Sequence, residues 1–280
     1  MLSNTTDLLE PAGDFVRKCS SIAAFSLVVW DGIVSYNQEY KYIWKNPSPV
    51  KWIYLFSRYY GICAQVANII FITIPLSEFP VATHICTTWF ASQMFSFIFH
   101  LTALQAVLIL RVYALYQQSL KVAALLTSLL FLNFFLSVIF GMRAFGALNF
   151  DSVCNAREPS SDAIYFGMST VSFHVVIWAF TIRKRDVTLQ EEWRKVSVIN
   201  LLTHDGTRIC FGICSMLMVI IPYAFVVQVA VHVIFLWPMA MMSILTCRLV
   251  LSLRELRGEP FTRDMELVTH VDLLEAIDDE

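Results

Sequence analysis

The stretch that decides the fold is ICFGICSMLMVIIPYAFVVQVAVHVIFLWPMAMMSILTC, residues 209–247. Across these 39 residues only Gln228 and His232 are clearly polar. As one α-helix the run would be about 58 Å long at a rise of about 1.5 Å per residue. A bilayer core is ~30 Å thick and is crossed by about 20 apolar residues. The run must therefore fold back on itself, and Gln228–His232 is the expected tight turn. It supplies two membrane spans, near Arg208–Val227 and Val231–Leu253.

Working outward from it, five more runs of the same kind precede it. They lie near Ser20–Glu39, Trp52–Leu76, Cys86–Tyr116, Lys121–Met142 and Ala163–Ile182. The expected fold is all-α, a seven-transmembrane helix bundle. Residues 1–19 form an extracellular N-terminus, 20–253 the bundle and 254–280 a cytoplasmic tail. Composition agrees. The 280 residues are 57% hydrophobic and 15% charged, with mean hydropathy +0.62. A soluble domain carries about 25% charged residues, so this chain has too little polar material to cover a water-facing surface. A cytosolic enzyme, a secreted domain and a nucleic-acid binder are thereby excluded. The 14% of aromatic residues suits interfacial belts.

Orientation follows from the placement of Lys and Arg, which concentrate on the cytoplasmic side. With the N-terminus outside, sixteen of the 20 basic residues fall inside. Only Arg17, Lys18, Arg143 and Arg157 fall outside. The expectation is therefore N-out and C-in. The sequon Asn4-Thr5-Thr6 then lies outside, which makes Asn4 a glycosylation candidate. No cleavable signal peptide precedes the first run, so that run is read as a retained anchor. Asn46-Pro47-Ser48-Pro49 breaks the helix after it. The tail from Arg254 carries nine acids against three bases and is read as a solvated end.

Of seven cysteines, Cys86 and Cys154 face the oxidising side in this topology. A bridge between them would staple the loop after the fourth span over the mouth of the bundle; the alternative is two free thiols. Cys63, Cys210 and Cys214 read as small packing residues; Cys247, at the inner end of the last span, is read as either a further packing residue or an S-palmitoylation site.

Ionisable groups inside a span are costly and carry a hypothesis of their own. Asp31 and Arg58 sit at similar depth on adjacent antiparallel spans, and an intramembrane ion pair would neutralise both. A proton or ion relay would need further carboxylates at other depths, and none is read within the spans. Gln93, Ser96 and His100 share one face of the third span, as do Gln65 and Asn68 on the second. Ser169, Ser172 and His174 lie on the fifth. These stripes should face the interior, because lipid cannot satisfy them. Interhelical hydrogen bonding is one reading. The outer half of a ligand cavity, formed by Asn68, Gln93, His100, Ser169, Ser172 and His232, is the other. No metal site, nucleophile motif or phosphate loop is present in the sequence, so no enzyme activity and no cofactor are expected.

The segments Ala23-Ala24-Phe25, Trp30-Asp31, Gln38-Glu39-Tyr40-Lys41-Tyr42-Ile43-Trp44 and Leu55-Phe56-Ser57-Arg58-Tyr59 resemble the N-terminal signature of a basidiomycete fungal family of seven-helix membrane proteins. The domain those proteins share is of unknown function. Leu110-Arg111-Val112-Tyr113-Ala114-Leu115-Tyr116, Arg248-Leu249 and Leu253-Arg254-Glu255 extend the resemblance. The architecture is also similar to G-protein-coupled receptors. That likeness implies that Arg111, at the inner end of the third span, is a cytoplasmic switch. The sequence departs from the receptor pattern at Leu110, where an acid would precede the arginine, and in having no Asn-Pro-x-x-Tyr in the last span.

The expected function is receptor-like signalling from the plasma membrane or another secretory-pathway membrane. The expected partners are the lipid bilayer, a small-molecule or lipid ligand, and a heterotrimeric G protein or other cytosolic protein, with no nucleic acid. A small-molecule transporter or channel, or a non-catalytic accessory membrane protein, is the alternative.

Overall fold

The computed structural model describes residues 3–45, 49–74, 81–116, 119–146, 154, 162–189, 212, 215 and 235–255. Every regular element among them is helical: α1 Ser3–Glu39, α2 Pro49–Leu55, α3 Gly61–Thr73, α4 Thr83–Leu115, α5 Leu120–Gly146, α6 Asp162–Leu189 and α7 Phe235–Glu255. A wide π turn, Tyr40–Trp44, extends α1, and a second, Phe56–Tyr60, joins α2 to α3 without a break. Six of the resulting helices are long and apolar enough to cross a membrane. The chain is thus a helical, multi-pass membrane protein by length and composition.

Helix ends follow local chemistry. The segment after the first π turn contains Pro47 and Pro49, and Pro49 opens α2, where its missing N–H costs nothing. Helix α3 stops at Thr73, just before Pro75. The first helix begins at Ser3 rather than near Ser20, and its spanning stretch runs Phe15–Trp44. Arg17 and Lys18 therefore lie within the N-terminal end of the span, not ahead of it, because Phe15 and Val16 continue the apolar run past them. The expected sixth span apart from Gly212 and Ser215, the Gln228–His232 turn and the tail beyond Glu255 lie outside the described residues. Asn4 lies in α1.

Helix α4 is the central mast. In its most apolar stretch 72% of residues are buried, against 61% for α7 and 17% for α5. Leu101, Leu104, Val107 and Leu108 of α4 pack with Phe173 and Ile177 of α6 and with Met239, Met242 and Val250 of α7. Outward residues such as Trp30, Ile33, Phe131 and Phe135 are exposed and apolar, as a lipid-facing surface requires.

Contacts along α4 give the helix directions. Phe90 faces Phe145, and Phe99 faces Phe134, so α5 is antiparallel to it. Phe97 lies 6.0 Å from Phe166, and Tyr116 donates to the Phe180 carbonyl at 3.1 Å, so α6 is parallel. Phe235 packs on Phe90 and Phe97, while Arg111 reaches Leu249, so α7 is parallel too. Close approach of α3 to α4 and α7 depends on Gly61. A Cβ there would meet Ser243 Oγ at 2.8 Å and His100 Nε2 at 3.3 Å.

Candidate functional site

Polar side chains inside the bundle gather at two levels. The level toward the C-terminal ends of α4 and α7, labelled inner, is a charge cluster built on the two π turns. On α1, Asp31, Ser35 and Glu39 recur at every fourth position and so share one face. Across from them, Tyr54 and Arg58 share a face at the same spacing. Gly32 lets the guanidinium pass close over α1, with Arg58 Nη2 only 3.0 Å from where a Cβ would stand.

The Arg58 guanidinium is divided between two carboxylates. Its Nε lies 3.5 Å from Glu39 Oε2 and its Nη1 lies 3.8 Å from Asp31 Oδ2. It also donates to Tyr54 Oη and Ser35 Oγ, each at 3.0 Å. Glu39 accepts from Tyr54 Oη at 3.1 Å, Tyr59 Oη at 3.1 Å and Trp44 Nε1 at 3.2 Å. Asp31 takes its shortest bond from α7, where Arg248 Nε donates to Oδ1 at 2.8 Å. Two acids and two bases leave the cluster neutral. Desolvated charges are tolerated only when paired and hydrogen-bonded in this way. Asp31, Glu39 and Arg58 are buried, whereas the Arg248 side chain remains 65% exposed and extends outward.

The expected Asp31–Arg58 contact is present, but it is one arm of a four-charge network. The expectation that no further carboxylate lies within the spans is corrected. Glu39 is inside the first spanning stretch, because the π turn carries that helix on to Trp44. The missed signal was the fourfold spacing from Asp31 through Ser35. Arg248 had no such signal, since pairing it with Asp31 needs knowledge of which helices are neighbours.

Arg111 is buried near the C-terminal end of α4 and donates to the Leu249 carbonyl at 3.1 Å and to Ser252 Oγ. It joins the C-terminal ends of α4 and α7.

The outer level centres on Asn68 of α3. Its Oδ1 accepts from Trp89 Nε1 and Gln93 Nε2 of α4, each at 3.0 Å, and its Nδ2 donates to Ser21 Oγ of α1 at 3.3 Å. Gln65, one turn away, donates to the Leu236 carbonyl of α7 at 3.4 Å. Above this level Cys86 and Cys154 form a disulfide with a Cα–Cα distance of 5.3 Å, which closes the open choice between a bridge and free thiols. Cys154 holds a positive φ of 60°, an uncommon conformation for a side chain with a Cβ.

The other cavity candidates do not converge here. His100 lies deeper, buried against Tyr60 with ring centroids 5.4 Å apart. Ser169 donates to Asn133, which donates to Gln105, in a separate α4–α5–α6 link. Ser172 is corrected, because it is exposed on the outside of α6. The buried face of α6 runs through Thr170, Phe173, His174 and Ile177, and Ser172 stands 200° round from Thr170 at about 100° per residue. His232 lies outside the described residues. Among the described residues no cluster of His, Cys, Asp and Glu suits a metal ion.

Fold and site together define an integral membrane bundle with a charge-neutral polar centre. Residues 19–63 match the profile of a family of unknown function, DUF6533. That segment covers most of the first span and the second as far as the start of α3, and it supplies every member of the inner cluster except Arg248. No curated protein and no solved structure matches the chain.

Proposed function

We propose that this protein is a receptor-like signalling protein of a fungal membrane, built as a seven-span bundle with its N-terminus outside and its C-terminus in the cytosol. Helix directions support seven spans. Helices α6 and α7 both run parallel to α4, so the chain between them returns across the bundle an odd number of times. The apolar run from Ile209 is long enough for one such crossing. The positive-inside bias supports the orientation, and the disulfide at the opposite end suits an oxidising compartment.

The observation that carries the receptor reading is Arg111. A buried cation bonded to the last turn of α7 is a latch between two inner helix ends. A ligand held in the outer level, where Asn68 and Gln93 link α1, α3 and α4, would bias that latch through α4 and α7. Such a ligand shifts the equilibrium only by its differential affinity for the latched and unlatched states. The basic loop from Arg183 to Arg208 is the surface that would meet a cytosolic partner.

The transporter reading draws on Glu39, a second buried carboxylate about 12 Å along α1 from Asp31 at ~1.5 Å per residue. Reconstitution of the full chain with a fungal heterotrimeric G protein separates the two. Nucleotide exchange on Gα that rises with Arg111→Gln supports the receptor. Solute flux into liposomes without exchange overturns it in favour of the transporter.

A further inference from the structure

Hydrogen-bond accounting at the outer level leaves a specific deficit. Trp89 Nε1 can only donate, so the Asn68 atom that accepts it must be the carbonyl oxygen. That same oxygen accepts from Gln93, so the Gln93 atom facing it must be the amide nitrogen. The Leu236 carbonyl can only accept, so Gln65 likewise turns its nitrogen to it. Both amide orientations are thus forced by their partners rather than chosen. The remaining oxygens, Gln65 Oε1 and Gln93 Oε1, are buried and have no hydrogen-bond partner. Both residues are more than nine-tenths buried, at 3% and 6% exposure.

Two buried acceptors around one asparagine lack donors. Their surroundings are aromatic. Phe90, Gln93 and Phe97 lie on one face of α4, and the Phe235 ring packs on both phenylalanines, at 5.4 Å and 5.6 Å. Leu236, the acceptor for Gln65, is the next residue. Among the described residues the buried carboxylates are Asp31 and Glu39, both at the inner level, so no counter-ion for a cation stands nearby.

We infer that this level binds a neutral, largely apolar molecule through two hydrogen-bond donors, hydroxyls or amide N–H groups, received by Gln65 Oε1 and Gln93 Oε1 beside the phenylalanine rings. The inference deepens the ligand-binding part of the proposed function and rests on it. A molecule with two uncharged donors satisfies both oxygens, one each. A site built around unpaired acceptors rejects a molecule of the same shape that lacks the donor, because the acceptors then stay unpaired.

The test uses the full chain in detergent, with 1,2-decanediol and 1-phenyl-1,2-ethanediol as probes and their dimethyl ethers as donor-free controls. The alcohols are expected to raise the unfolding midpoint saturably, and the ethers are not. Gln93→Met and Gln65→Met keep the side-chain length and remove the acceptor. Each is expected to weaken the alcohol response by about tenfold, the size of one lost buried hydrogen bond. Each variant also loses the bond its amide nitrogen makes, to Asn68 or to the Leu236 carbonyl, so each response is read as a shift from that variant's own midpoint without probe. Equal responses to alcohol and ether, no response to either, or an unchanged response in both variants overturns the inference. A donor-dependent response with no Gα exchange upholds the inference and defeats the receptor reading. Gα exchange with no donor-dependent response does the reverse.

Discussion

Asp31 is bonded more closely to Arg248, 217 residues away, than to Arg58 on the adjacent span, at 2.8 Å against 3.8 Å. The seventh helix is therefore fastened to the first by charge. Arg58 is fastened mainly by neutral partners and by Glu39.

This division of labour predicts unequal costs. Arg58→Gln leaves Glu39 buried without its charged partner and is expected to cost about 3–5 kcal/mol. Arg248→Gln removes a largely exposed charge, and Asp31 keeps Arg58, so about 1 kcal/mol or less is expected. Denaturant unfolding in detergent checks both. Equal losses would show that the two arginines share Asp31 evenly.

Gly61 predicts a rescue. Gly61→Ala places a methyl group 2.8 Å from Ser243 Oγ. Overpacking of that kind costs about 1–3 kcal/mol. Ser243 donates to the Ser57 carbonyl at 2.8 Å, so Ser243→Ala alone loses one hydrogen bond. The double variant is expected to be more stable than the sum of the single costs. A double-mutant cycle measures the difference.

The disulfide links positions 68 residues apart. A closed loop of that length restricts the unfolded chain by about 4 kcal/mol. Cys86→Ser, Cys154→Ser and the double variant are expected to lose the same stability, because each removes the same bond. Recovery of alkylated Cys86 or Cys154 in non-reducing peptide mapping would contradict the bridge.

Arg111 predicts a change in access at a distance. Cys247 is a free thiol, 1% exposed, two residues before Leu249. Arg111→Met is expected to loosen α7 and speed labelling of Cys247 severalfold, read against the exposed Cys63. An unchanged labelling ratio would mean that the latch does not hold the helix.

Ser172 separates the two faces of α6. Ser172→Leu is expected to change stability by no more than ~0.5 kcal/mol. Asn68→Leu removes the acceptor shared by Trp89 Nε1 and Gln93 Nε2 and is expected to cost about 1–3 kcal/mol. Thermal unfolding of both variants in one detergent gives the comparison.

Span positions were legible in the sequence wherever an apolar run was long and bounded, as at Cys86–Tyr116, where α4 runs Thr83–Leu115. The start of the first helix was not, because Arg17 and Lys18 look like a boundary until the residues before them are seen to continue the helix. At the site, Asn68 and Gln93 were legible because two polar stripes on adjacent spans have few partners but each other. Ser172 was misread because spacing from Ser169 says that two residues are neighbours, not which way their shared edge faces. The Arg248–Asp31 bond was invisible for a different reason. It is set by the packing of the seventh helix against the first, which no local pattern encodes.

The two π turns, Tyr40–Trp44 and Phe56–Tyr60, each hold one residue more than an ordinary helical turn needs. Passing that surplus residue along the helix would rotate everything between its old and new positions by about 100°. Around Arg58, such a rotation carries the guanidinium off Glu39 without breaking the helix. The protein keeps its charge centre at a dislocation, a place where the helix can change its setting by one notch and still be a helix on both sides.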